Sequence, residues 1–201
     1  MPVPASHLSR KLAGLTAAVA LALAPACGAA APPAAEAAGA DRLRRAVART
    51  VEEGSARVLA RVRGTDTGSV VVVEGVTSLV GPQAWARASV EGAPELGVSE
   101  VRVTGAGSWL RPPGSREWIA VDPGLADASP AASWGGLLRE LAEATDVTAD
   151  GPRLTALAGG AAVTVVLDGQ GRVTRVHQRG EGTEISLELS DFGVRVEVEP
   201  P

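Results

Sequence analysis

From Ser55 onward, apolar and polar residues mostly alternate with a period of two, and two segments switch to a period near 3.6. In "SARVLARVR", Val58, Ala60 and Val62 alternate with Arg57, Leu59, Arg61 and Arg63, the pattern of a half-buried strand. Residues 70–73 are a continuous valine run, expected where a strand is covered on both faces, and Gly75 after them suggests a bulge. Trp85, Arg87 and Ser89 alternate with Ala84, Ala86, Ala88 and Val90. "VRVTGAGSWLRPPGSREWIAVDP" reads as three strands, near 99–104, 108–111 and 117–121, joined by "GAG" and "PPGS". Later, "AAVTVVL" and "RVTRVHQ" flank "DGQG", a hairpin signal, and "GEG" at 180–182 leads into "TEISLELS". Asp191-Phe192-Gly193 then separates Ile185, Leu187 and Leu189 from Val194, Val196 and Val198, which predicts a turn between two strands.

The helical period appears twice. Asp41 is placed to cap a helix in which Leu43, Ala46, Val47, Thr50 and Val51 share a face, and Gly54 stops it. In "SPAASWGGLLRELAEATD", Ser129 and Pro130 suit a helix start, and Trp134, Leu137, Leu138 and Leu141 form an apolar stripe. Gly135 and Gly136 weaken its first half by roughly 1 kcal/mol each relative to alanine, or else admit another backbone closely. About nine short strands with tight turns and two helices predict an α+β, mostly β fold in which consecutive strands pair antiparallel.

The first 40 residues carry no such pattern. Arg10 and Lys11 precede an apolar run over 12–26, too short to span a bilayer comfortably, so residues 1–26 read as a signal peptide. Cys27, the single cysteine, follows the run. One reading is a lipobox, with the sulfur acylated and the mature chain anchored to the outer face of the cell membrane. The site departs from the usual pattern, because Ala24 stands where leucine normally sits three residues before the cysteine. The other reading is cleavage after Ala26 or within 29–31, which gives a secreted protein. Residues 27–40 are low in packing side chains and read as a tether, leaving 41–201 as one domain.

Composition narrows the chemistry. Removing residues 1–26, which hold two basic residues and no acid, takes the formal charge from −4 to −6. An acidic chain with no basic run is a poor nucleic-acid binder. His177 is the single histidine after the leader, and no G-x-S-x-G elbow accompanies it. Asp146, Asp150, Asp168 and Asp191 lack the spacing of a calcium loop and read as turn residues. The kinase reading of Asp191-Phe192-Gly193 fails, since the single lysine is Lys11 and no H-R-D loop exists. No catalytic motif, metal cluster or cofactor loop is expected. Trp109 and Trp118 flank "PPGS" and read as a cross-strand pair, or as an aromatic rim at the mouth of an apolar cavity.

A helix followed by "EEGSARV", the hairpin "SWLRPPGSREWIAVDP", the Leu-rich helix and the closing "LELSDFGVRVEVEPP" occur in an order that resembles the LppX/LprA/LprF/LprG-type lipoproteins of high-GC Gram-positive bacteria, and more distantly the LolA/LolB carriers. The resemblance covers most of 41–201. It implies a curved antiparallel half-barrel with helices on its concave face, and an apolar space there that holds a lipid or the acyl chains of a lipoprotein. It implies no catalysis and no cofactor. The segment between the Leu-rich helix and "AAVTVVL" is shorter than in many members, which bears on cavity size.

The side chains placed to line such a space are Val47 and Val51 from the first helix, and Trp134, Leu137, Leu138 and Leu141 from the second. The alternative is that they fill the core and leave no cavity. The chain would then be an envelope interaction or sensory module that binds a protein partner. A monomer is expected in both cases.

Overall fold

The structure is a computed structural model that describes residues 34–121, 134–180 and 182–201. One antiparallel sheet of eleven strands dominates it. The strands are β1 (Ser55–Gly64), β2 (Val70–Ser78), β3 (Ala84–Val90), β4 (Val98–Thr104), β5 (Gly107–Arg111), β6 (Ile119–Val121), β7 (Thr145–Asp150), β8 (Arg153–Ala158), β9 (Ala161–Leu167), β10 (Val173–Gly180) and β11 (Thr183–Ser190). Their spatial order is β6-β5-β4-β3-β2-β1-β11-β10-β9-β8-β7. Two meanders, β1–β6 and β7–β11, are thus joined where β1 pairs β11, with Val58 opposite Leu189 and Ala60 opposite Leu187. The sheet is an open half-barrel, with helix α1 (Ala34–Glu52) and helix α2 (Trp134–Ala142) against its concave face.

Register explains the core. Ala56, Val58 and Ala60 of β1, Val163, Val165 and Leu167 of β9, and Leu187 and Leu189 of β11 all point inward. They meet Leu43, Ala46 and Val47 of α1 and the Trp134, Leu137, Leu138 and Leu141 stripe of α2. These elements therefore bury the faces their own periods mark out. The valine run of β2 is buried at Val70 and Val73 and half-buried at Val71 and Val72.

Several expectations are corrected. Helix α1 starts at Ala34, not at Asp41. The alanines at 34, 35, 37 and 38 are the best helix formers, so a stretch that looked like tether propagates the helix backward. Gly39 is buried there, and a Cβ on it would lie 2.5 Å from the Val147 carbonyl oxygen of β7. The tether expected over 27–40 thus gives way to helix from Ala34, packed at Gly39. Asp41 instead pairs with Arg44 one turn on, at 2.9 Å. The C-terminal end is as expected: Gly54, at φ +77°, donates its amide to the Val51 carbonyl. Gly75 forms no bulge. It pairs in register with Val58 and Ala86, and a Cβ would stand 2.0 Å from the Trp85 carbonyl oxygen, so β2 and β3 approach closely there.

Strand β7 is not legible, because "TDVTAD" offers one buried side chain, Val147, on an edge strand; β8 was missed although Leu154, Ala156 and Ala158 alternate with exposed residues. Conversely, residues 194–201 form no strand. Both edges of β11 are occupied, by β1 and β10, so the chain has no ladder to join after Ser190. Asp191 (φ +45°) and Gly193 (φ +76°) turn it onto the outer face. There the Gly193 amide donates to the Ser55 carbonyl at 3.0 Å, and Ser55 Oγ donates to the Val194 carbonyl. Val194, Val196 and Val198 stay half-buried between exposed neighbours, so the two-residue period reports burial on the sheet rather than strand pairing. The Asp191 carboxylate accepts from Arg57 Nε at 2.8 Å, and the Phe192 ring lies 4.4 Å from the Arg172 guanidinium. The tripeptide is the expected bend.

Candidate functional site

Between α1, α2 and the β2–β3 loop lies an open cleft of about 620 Å³. Its walls are Val47 and Val51 of α1, Gly135, Gly136, Leu138, Arg139 and Ala142 of α2, Thr77, Ala84 and Val103 of the sheet, and loop residues 78–83. The local sequence produces it. Val47 and Val51 are one turn apart and extend the buried stripe of α1 toward one flank. Gly135 and Gly136 contribute no side chains, and a Cβ at either would meet nothing within 4 Å. They leave space rather than admitting another backbone. Opposite them the inner face of β3 carries small alanines at 84, 86 and 88, with Val90 at its far end.

The loop that rims the cleft is pinned to the end of α1. The Leu79 amide donates to the Gly54 carbonyl at 2.9 Å, and Ser78 Oγ accepts from the Gly81 amide at 3.0 Å. Leu79 is buried beneath, while Val80 at the tip is 71 % exposed. The Arg139 side chain at the rim is exposed. The wall is thus apolar inside with polar groups at its edge, the usual composition of a small-molecule cleft, and its volume falls within the range of such sites. A second groove, of about 260 Å³, lies further along the inner face, against Val71, Ala88, Leu96 and Pro113. Val73 and Ala86 are buried between the two.

The six side chains named from sequence divide into two groups. Val47, Val51 and Leu138 line the cleft, and Val47 and Leu138 are at the same time part of the buried core. Trp134, Leu137 and Leu141 are packed in the core and do not line it. Cys27 and the Ser129-Pro130 helix start lie outside the described residues. Reading the sequence missed Ala84, Val103 and the two glycines of α2. The signal for the last was present, since paired glycines at the start of an apolar helix stripe fit a wall that must stand back.

The tryptophans are not at this cleft. Trp109 pairs across the sheet with Arg102 and Ala120, not with Trp118. Arg102 is opposite Trp85, which is opposite Val76, which is opposite the exposed Arg57. That row is the outer face. The Trp118 ring stacks on the Arg102 and Arg111 guanidiniums, at 4.5 and 5.0 Å. Neither the tryptophan pair nor the aromatic rim is formed. A groove of about 680 Å³ on this outer side, beneath the C-terminal segment, is lined by Gln83, Trp85, Arg102, Glu197 and Glu199 with Val196 and Val198. It has no apolar floor of the kind the inner face offers.

No group of three or more His, Cys, Asp or Glu side chains is arranged to hold a metal among the described residues. No described helix is long and apolar enough to cross a membrane. Two clusters of titratable groups tie scaffold elements together. His177 and Arg179 both reach the Glu184 carboxylate, at 2.8 and 3.1 Å. Hydrogen bonds from Arg179 and then His177 hold that carboxyl below its ordinary value. Burial raises the Asp168 carboxyl, but the Arg172 amide and side chain and the Gln170 amide outweigh it, and the net value is lowered.

No family model and no curated sequence matches this chain. Solved structures do. LppX, a lipoprotein of Mycobacterium tuberculosis, aligns with a TM-score of 0.58 at 16 % identity, over 82 % of this chain and 100 % of its own. LprF from Mycobacterium bovis aligns with a TM-score of 0.54 at 15 % identity, over 82 % and 97 %. The fold suggested by the sequence resemblance is the fold found, and the two neighbours span nearly their whole length in the match.

Proposed function

We propose that this chain is a non-catalytic, extracytoplasmic lipoprotein that binds or carries a lipid, or the acyl chains of an acylated ligand, in the cleft between α1, α2 and the inner face of β2–β4. The single observation that carries this reading is the cleft wall. Val47, Val51, Leu138 and Ala84 border the open space, Val51 with the most exposed surface of the four, and Arg139 and Gln83 stand at its rim. Affinity would come from burying methylene groups, at about 0.8 kcal/mol each, so no reactive side chain is needed. The fold shared with LppX, itself a lipoprotein, supports the reading. Acylation of Cys27 would hold the domain at the membrane. From Cys27 to Ala34 the chain reaches at most about 25 Å, half the maximum reach of a tether running to Asp41.

A second reading is favoured by one observation. Trp134, Leu137 and Leu141 are packed rather than cleft-lining, as expected of an interaction module with a filled core and a protein partner. Organic extraction of the purified protein followed by mass spectrometry separates the two. Stoichiometric lipid supports the carrier. Repeated recovery without lipid, together with a crosslinked protein partner, supports the module.

A further inference from the structure

The chain is acidic and has no basic run, yet α1 gathers three guanidinium groups on one flank. Arg42, Arg45 and Arg49 lie at i, i+3 and i+7, a spacing that shares a helix face. With Ala46 and the β9–β10 turn from Leu167 to Gly171, they line a cleft of about 280 Å³, separate from the apolar one. Among the described residues, none of the three is in an ion pair, whereas Arg44 beside them is paired with Asp41. The one acid lining the cleft, Asp168, is already engaged. It accepts from the Gln170 and Arg172 amides at 2.9 Å each and pairs with Arg172 Nη2 at 2.7 Å. The cleft therefore carries uncompensated positive charge. Part of it is fixed in place. Arg49 Nη1 donates to the Gln170 carbonyl at 2.9 Å, and Gly171, at φ +79°, makes room, since a Cβ there would stand 2.7 Å from that nitrogen.

We propose that this cleft binds a phosphate group, supplied by the headgroup of an anionic phospholipid at the surface to which α1 is tethered. Guanidinium forks match phosphate oxygens in geometry and charge, and three arginines line this cleft. Helix α1 is also the element that follows Cys27 most closely, by seven residues. The choice of a lipid as the source rests on the proposed anchoring; the phosphate chemistry does not. Engagement of this flank would hold α1 on the membrane surface, and with it the apolar cleft on the other side of the same helix.

The test is co-sedimentation of the full chain with two kinds of vesicle: phosphatidylcholine alone, and equal parts phosphatidylcholine and phosphatidylglycerol. The apolar leader contributes to both, so the readout is the excess on the anionic vesicles. That excess is expected to fall about fivefold for each of Arg42→Gln, Arg45→Gln and Arg49→Gln, and to persist in Arg61→Gln on the outer face of β1. An excess unchanged in the triple variant overturns the proposal. Saturable binding of inorganic phosphate, lost in the triple variant but unaccompanied by any vesicle excess, overturns the lipid source. A wild-type excess in protein that yields no extractable lipid supports this site while refuting the carrier reading, so the two fail separately.

Discussion

Thr50 and Val173, 123 residues apart, share one buried hydroxyl: Thr50 Oγ1 accepts from the Val173 amide at 2.8 Å and donates to the Ala46 carbonyl at 2.7 Å. This bond joins α1 to the first residue of β10 where β10 slips register against β9, between Val173 and Arg175. Thr50→Val keeps the shape and leaves the Val173 amide buried without a partner. The expected loss is about 1–3 kcal/mol, read as a lower midpoint in urea with an unchanged slope. Thr50→Ser is expected to retain most of the stability.

The glycines make opposite predictions. Gly75→Ala must push β3 away from β2, because the new Cβ meets the Trp85 carbonyl oxygen at 2.0 Å and Ala86 Cα at 2.7 Å. The expected cost is about 1–3 kcal/mol or more, seen in thermal unfolding. Gly136→Ala meets nothing within 4 Å and improves helix propensity, so α2 is expected to gain about 1 kcal/mol.

Helix faces and strand faces were legible in the sequence because each buries the side its period selects: Leu43, Ala46 and Val47 on α1, and Val58 and Ala60 on β1, are all buried. Besides β7 and β8, three things were not fully legible, each for a local reason. Alanine at 34, 35, 37 and 38 is as compatible with a tether as with a helix until Gly39 meets Val147. The alternation in 194–198 is that of a strand, but pairing depends on a free sheet edge, which is a property of topology. The cleft was half legible. A pattern shows that Val51 and Leu141 lie on an apolar stripe, not that the first faces a gap and the second a neighbour.

The Arg172 cluster sets an acid dependence. Arg172 joins Asp168 to Glu53 just past the end of α1, and the Asp168 carboxyl is held below its ordinary value of 3.8. A group lowered in the folded state contributes stability that is present above its ordinary value and lost as pH falls through the folded value. Stability should therefore decline as pH falls below about 4, and Asp168→Asn should flatten that decline. Urea midpoints measured between neutral pH and pH 3 check this; parallel curves for the two proteins would count against it.

Cys27 is expected to control location without affecting fold. Cys27→Ala should leave the unfolding midpoint unchanged and abolish palmitate labelling and partition into detergent, because acyl chains would supply the anchor. A wild-type protein recovered wholly from the medium without label would instead indicate cleavage to a secreted form.

The central claim is that the space beside Val51 holds an acyl chain. Titration of the delipidated full-chain protein with a fluorescent fatty acid tests it most directly, beside a Val51→Trp variant whose indole would occupy that space. Saturable uptake by the wild type, lost in a variant with an unchanged circular dichroism spectrum, is the predicted result. Equal uptake by both proteins, or none by the wild type, would contradict the account.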